Sequence, residues 1–179
     1  MELPAVLSAN AAYRSELAAD ASVDGHFRPS PRTPQPSRRL VVLACMDARL
    51  DLFRAMGLSV GDAHILRNAG GRASDALRSL VVSSHLLGTR EIGVVHHTDC
   101  GLEGVTDAQV AERTGVHDID FLAFDSVVQS VHDDVALLLA AAVFPDDVLV
   151  WGAVYDVDTG ELRVVDEARP VDARAALPR

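Results

Sequence analysis

Lysine is absent from the sequence: all 16 basic residues are arginine, and none of them gather into a stripe that could follow a phosphate backbone. Against 26 acidic residues they leave a formal net charge of −10, which excludes nucleic acid as a partner. Cysteine is almost absent as well. Two cysteines in 179 residues make no disulfide framework, and in a chain expected to stay in the cytoplasm they read as thiols or metal ligands. Long apolar runs are also missing. The opening stretch "MELPAVLSANAAYRSELAAD" is broken by Asn10, Arg14, Glu16 and Asp20, and nothing later approaches the roughly 18 apolar residues needed to cross a bilayer. The expectation is a soluble, cytoplasmic protein with no membrane contact.

What is present is a chain 49% apolar, enough for one well-buried domain spanning 1–179. Apolar positions over 5–19 repeat at helical spacing, and the following stretch to Arg39 carries four prolines that forbid a regular helix. Residues 1–39 thus read as an N-terminal helix and proline-rich arm, and 40–179 as an α/β core. "LVVLACM" is a continuous apolar run, the pattern of a strand covered on both faces. "LDLFRAMGL" reads as a short helix closed by Gly57, "AHILRN" as a strand, and "ASDALRSLVVSSHLLG" as a helix with Ser74 as candidate N-cap and Gly88 as stop. "EIGVVHH" is a third strand, "TDAQVAERTG" a short helix, "FDSVVQSVHDDVALLLAAAVF" a long one, and "DVLVWGAVYDV" a fourth strand. "TGELRVV" returns as an antiparallel edge strand after a turn at 158–160. The fold class is α/β: a central, mainly parallel sheet of four strands plus an antiparallel edge strand, helices on both faces and an N-terminal helical arm. In such sheets sites gather beyond the carboxyl ends of the strands, where Cys45 and His97 fall.

Residues two apart on an extended chain point the same way, so Cys45, Asp47 and Arg49 offer a thiolate, an acceptor and a cation to one pocket. His97 and Cys100, three apart across a turn, supply an imidazole and a second sulfur. Zinc suits two thiolates and one imidazole, and three protein ligands leave its fourth position open, the mark of a catalytic site. Asp47 then serves either as a fourth ligand or as an acceptor beside the metal. A bidentate pair with Arg49 favours the second. The glycines of "RNAGG" form either a pocket wall that leaves room for a small substrate or a tight turn. An isolated cysteine is usually a core thiol, but two with a spaced histidine and a flanking Asp/Arg pair favour a metal. His96 points away from His97 and reads as a core histidine or a support for the site. His26, His64, His85, His117 and His132 read as surface or packing residues, and the acidic residues at 118, 120, 125, 133 and 134 as a solvated helix face.

"CMDAR", then "RNAGG", then "HHTDCG" resembles the β-class carbonic anhydrases, whose pattern is Cys-x-Asp-x-Arg followed further along by His-x-x-Cys. The similarity runs from Leu40 to Val165, takes in "GTREI" and "YDVDTGEL", and is nearest to the short bacterial branch. The resemblance implies zinc on Cys45, His97 and Cys100, a catalytic dyad of Asp47 and Arg49, and CO2 and bicarbonate as partners. The reaction it implies is reversible hydration of CO2 to bicarbonate and a proton, by hydroxide held on zinc and oriented by the dyad. It also implies a homodimer or higher homo-oligomer with the N-terminal helix packed across the partner. Two readings compete with it: hydrolysis of carbonyl sulfide or carbon disulfide on the same zinc, and a zinc protein without catalysis. The proline-rich connector is longer than in the short members and "CGLEGVTD" departs from their usual wording, though neither touches a ligand.

Overall fold

The structure, a computed structural model, describes residues 3–20 and 33–171, and the chain divides into two compact units, Met1–Pro34 and Gln35–Arg179. The first holds helix α1, Leu3–Asp20, where apolar spacing predicted a helix over 5–19. Leu3, Val6, Leu7 and Tyr13 on it are exposed. Most of the proline-rich stretch, His26 included, lies outside the described residues. No helix among the described residues is long and apolar enough to cross a membrane.

In the second unit β1 (Leu40–Cys45), β2 (Ala63–Asn68), β3 (Glu91–His97) and β4 (Leu149–Tyr155) run parallel, and β5 (Leu162–Pro170) returns antiparallel to β4. The spatial order is β2-β1-β3-β4-β5. Every residue of β1 is buried between its neighbours and the layers above and below, which is why it reads as an unbroken apolar run. Its alternate residues serve opposite faces. Val41 and Leu43 join Ile92 and Val94 under α3 (Ala73–His85) and α5 (Val127–Ala140), whereas Val42 and Ala44 join Val95, Leu58 and Leu52 of the short α2 (Leu52–Ala55). Helix α5 crosses the sheet closely. A Cβ on Gly152 of β4 would lie 2.3 Å from Val131 Cγ1 of α5, so only a bare backbone fits there.

Three boundaries differ from the sequence expectation. Helix α3 starts at Ala73, and its N-cap position falls to Arg72, not Ser74; Arg72 makes no side-chain cap because its guanidinium is turned into the core. Helix α5 is shorter than the apolar run that announces it. Ser126 accepts from the Gln129 amide and begins the helix there, while Phe124 forms an isolated bridge with Glu103. β5 runs to Pro170, beyond the predicted "TGELRVV". Helix α4 (Asp107–Thr114) has a capping box between Thr106 and Gln109 and ends on Gly115 in the left-handed region.

Candidate metal centre

β1 and β3 are adjacent and parallel, so their last residues, Cys45 and His97, come to the same edge of the sheet. Thr98 is held by its amide to the Tyr155 carbonyl, Asp99 takes a positive φ of 56°, and the reversal carries Cys100 back over His97. Cys45, His97 and Cys100 are all buried, and their ligand atoms lie within 4.8 Å of one another, near enough to converge on one ion. His97 Nδ1 donates to the Thr98 carbonyl at 2.9 Å, which leaves Nε2 as the ring nitrogen turned toward the cluster. Nε2 is buried and has no hydrogen-bond partner. An orphaned imidazole nitrogen facing two sulfurs is the donor set zinc takes, and its cost is removed by a metal bond. Cys100 shares its proton with Cys45, which holds the Cys45 thiol well below its usual range and pushes Cys100 up.

Asp47 does not join the cluster. Arg49 grips its carboxylate with two parallel bonds, Nε to Oδ1 at 3.0 Å and Nη2 to Oδ2 at 2.8 Å, and the Arg49 amide adds a third at 2.9 Å. These bonds hold the Asp47 carboxyl far below the usual carboxylate range. Asp47 Oδ2 lies 3.9 Å from His97 Nε2, beside the metal cradle. Of the two states the sequence left open, Asp47 is in the one paired with Arg49. Arg49 reaches further still: Nη1 donates to Asp99 Oδ2 at 2.8 Å and Nη2 to the Asp99 carbonyl at 2.9 Å. One guanidinium therefore ties the Cys45–Arg49 segment to the turn between His97 and Cys100. Sequence reasoning missed Asp99, since a single acidic residue inside a turn has no spacing to betray it.

Both readings of "RNAGG" hold together. Gly70 and Gly71 have φ of 74° and 72°, and a Cβ on Gly71 would lie 3.0 Å from the Cys45 nitrogen and 3.1 Å from the His96 ring. The turn is tight because it lies against the end of β1, and its outer side walls the site. A cavity of about 480 Å³ opens there, lined by Cys45, Met46, Asp47, Gly70, Cys100 and Leu102 among others.

Behind this wall the structure corrects the reading of the acidic residues. Asp118, Asp120 and Asp125 precede α5, and only Asp133 and Asp134 lie on it. Asp134 is not solvated but buried, paired with Arg72 (Nε to Oδ2, 2.9 Å) and 3.3 Å from His96 Nε2. His96 is the core histidine that strand alternation implied: Nδ1 meets Ser130 Oγ at 2.7 Å and the ring stacks on Phe124. The other described histidines make local ties, His64 to Ser83, His85 to the Val143 carbonyl and His132 to Asp166, while His117 is exposed. The unusual wording after Cys100 has a structural reason. Glu103 accepts the Val127 amide at the start of α5, and Asp107 accepts the amides of Phe121, Leu122 and Ala123.

Comparison with known proteins agrees with this geometry. A family model described as carbonic anhydrase matches residues 40–122, which contain the three candidate ligands and the Asp47–Arg49 pair. β-Carbonic anhydrase 1 of Mycobacterium tuberculosis is 38% identical over 136 residues, covering 73% of this chain and 83% of the relative. A carbon disulfide hydrolase of Acidianus is 34% identical over 157 residues, covering 71% of this chain and 77% of its own length. Among solved structures, a carbonic anhydrase of Streptococcus mutans superposes with a TM-score of 0.77 at 42% identity, covering 93% of this chain and 98% of that one. The chain belongs to the carbonic anhydrase family, in its β class.

Proposed function

We propose that this protein catalyses the reversible hydration of CO2 to bicarbonate and a proton, with Cys45, His97 and Cys100 holding zinc and Asp47 and Arg49 as the catalytic pair. The observation that carries the reading is the buried, unpartnered His97 Nε2, which converges with two cysteine sulfurs beside a carboxylate already fixed by arginine. When bound, zinc supplies a Lewis acid that brings the pKa of a water toward neutrality, behaviour for which carbonic anhydrase is itself the standard example. Two thiolates neutralise the ion's formal charge and weaken that effect, so the work left to the chain is larger than with three imidazoles. Asp47, ionised and therefore acceptor-only, takes the hydrogen bond of the attacking O–H and so aims the oxygen lone pair at the substrate carbon. Arg49 keeps Asp47 ionised and, being held by Asp99 as well, keeps it from swinging onto the metal side. The wall at Ala69 and Gly70 leaves space for a small linear molecule.

Identity of 34% to carbon disulfide hydrolases favours a second reading at the same site, hydrolysis of carbon disulfide or carbonyl sulfide. Stopped-flow hydration of CO2 and hydrolysis of both sulfur substrates on one zinc-loaded preparation decide between them. The expected result is a kcat/KM highest for CO2, and a higher value for either sulfur substrate overturns the assignment while leaving the metal centre intact. Elemental analysis should find one zinc per chain in the wild type and a loss of zinc in Cys45→Ser; full zinc in that variant would reject the ligand set. We further read the whole chain as one carbonic-anhydrase-like functional domain acting in the cytoplasm as a homodimer or higher homo-oligomer. The exposed apolar side chains of α1 support that assembly, and sedimentation of an active, stable monomer would dismiss it.

A further inference from the structure

We propose that Arg67, which takes no part in the chemistry above, is a positioning residue for it: its guanidinium holds the Cys45–Leu50 loop and so fixes where Asp47 and Arg49 stand. The inference rests on the proposed function for its meaning, and on backbone geometry for its evidence. Arg67 lies on β2 opposite Ala44 of β1, and the ladder between these strands ends at Cys45 and Asn68, with the Met46 amide donating to the Asn68 carbonyl at 2.8 Å. Beyond that point the loop leaves the sheet. Its internal ties are short-range, the Leu50 amide to the Asp47 carbonyl at 3.2 Å and the Arg49 amide to Asp47 Oδ1 at 2.9 Å, and its outward tie from the Arg49 side chain ends on Asp99 of another turn, so none of them anchors the loop's main chain to the sheet.

Arg67 supplies that anchor. Nε donates to the Cys45 carbonyl at 2.9 Å, Nη1 to the Leu50 carbonyl at 3.3 Å, and Nη2 to the Asp47 carbonyl. The three acceptors are the two ends of the loop and the peptide that carries the catalytic carboxylate. A planar fork of fixed donors can span them, whereas an ammonium is one point and cannot. A residue binding substrate anions would aim its donors at the cavity; these aim at main-chain oxygens, and Arg67 is not among the residues lining the cavity at Cys45. Without Arg67 the loop would sample positions in which Asp47 misses the nucleophile, while Cys45, fixed in β1, would still hold metal.

The test compares Arg67→Ala and Arg67→Lys with the wild type, measuring zinc per chain, CO2 hydration and amide hydrogen exchange over 46–50 in the zinc-loaded proteins. Misplacement of a catalytic group by about an ångström lowers the rate by about 10²-fold, so kcat of Arg67→Ala should fall on that scale. KM should stay within about twofold, zinc should stay at the wild-type level, and Arg67→Lys should fall between. Added guanidinium ion should recover part of the Arg67→Ala rate, which a merely structural lesion would not allow. Exchange at 46–50 should quicken by about tenfold or more in both variants with β3 unchanged. Wild-type kcat and loop exchange in both variants, a rise in KM at constant kcat, or a rate loss that tracks zinc loss would overturn the proposal. If Arg67→Ala does not fold, Arg67→Lys carries the same readings. A wild type inactive on CO2 would refute the proposed function, while the exchange measurement would still decide whether Arg67 holds the loop.

Discussion

Asp134→Asn should destabilise the protein by about 3 kcal/mol, the largest effect we expect from any single isosteric change outside the metal centre. The figure follows from what the carboxylate touches. Its side chain is 2% exposed and faces the Arg72 guanidinium, 13% exposed, at 2.9 Å, with His96 at 3.3 Å. Removing one partner of such a pair costs about 3–5 kcal/mol, because the other charge stays buried without compensation. Arg72 keeps the Leu122 carbonyl at 3.1 Å and the face of Phe124 at 5.5 Å, which places the loss at the low end of that range. For a domain of this size about 3 kcal/mol is a fall in Tm of about 6–12 °C. Urea unfolding at neutral pH and fixed protein concentration measures it, with the concentration held because association would add its own contribution. The companion variant Arg72→Met/Asp134→Leu removes both charges and should be less destabilised than the two single changes summed. Asp134→Asn within about 0.5 kcal/mol of wild type would refute the reasoning, and so would a double variant worse than that sum.

Asp47→Asn and Arg49→Ala should keep their zinc and lose about 10²-fold or more in CO2 hydration; wild-type rates in either zinc-loaded variant would show that the pair is not catalytic. Asp107 is held below its ordinary pKa by the Ala123 amide first and by its contact with Asp120 and the neighbouring amides. Its stabilising contribution is therefore complete above the unfolded pKa, about 4, and is lost as pH falls through the lower folded value. The Asp107→Asn protein should show a shallower loss of stability in acid below about pH 4, seen as a smaller fall in Tm on titration; an unchanged slope would count against the amide bonds as the cause.

The parallel core and the Cys-His-Cys cluster were legible because each leaves a local pattern. β1 is apolar throughout since both its faces are covered, while Cys45 and His97 end two strands and Cys100 sits in the turn just after the second, where soft candidate ligands have no packing purpose. Asp134 was not legible. An acidic pair such as Asp133 and Asp134 on a helix faces solvent far more often than not, and the partner of Asp134, Arg72, lies on another element far away in the sequence, so no spacing joins them. The start of α3 was misplaced for the same reason: Ser74 looks like a cap from its neighbours alone, while the actual boundary is decided by where Arg72 sends its guanidinium. Asp99 and Arg67 share this blindness, because their contacts are to main-chain oxygens or to an arginine fifty residues away in chain order.

The proposed function separates groups that stabilise this fold from groups that would orient its chemistry. Arg49 and Asp47 make the best-formed ion pair at the site, yet their side chains are 45% and 20% exposed, and an exposed pair contributes about 0–1 kcal/mol to stability. Four bonds from Arg49 to Asp47 and Asp99 are thus far more geometry than the stability they return. The buried Arg72–Asp134 pair is the opposite case, out of contact with the cavity at Cys45 and costly to break. Variants of the two pairs should therefore part cleanly. Asp47→Asn should unfold within about 1 kcal/mol of wild type while losing its rate, and Asp134→Asn should lose stability while keeping its zinc. Equal stability losses in both would mean that the Asp47–Arg49 pair is a structural strut, and that orientation of the nucleophile must be sought in another side chain at the cavity.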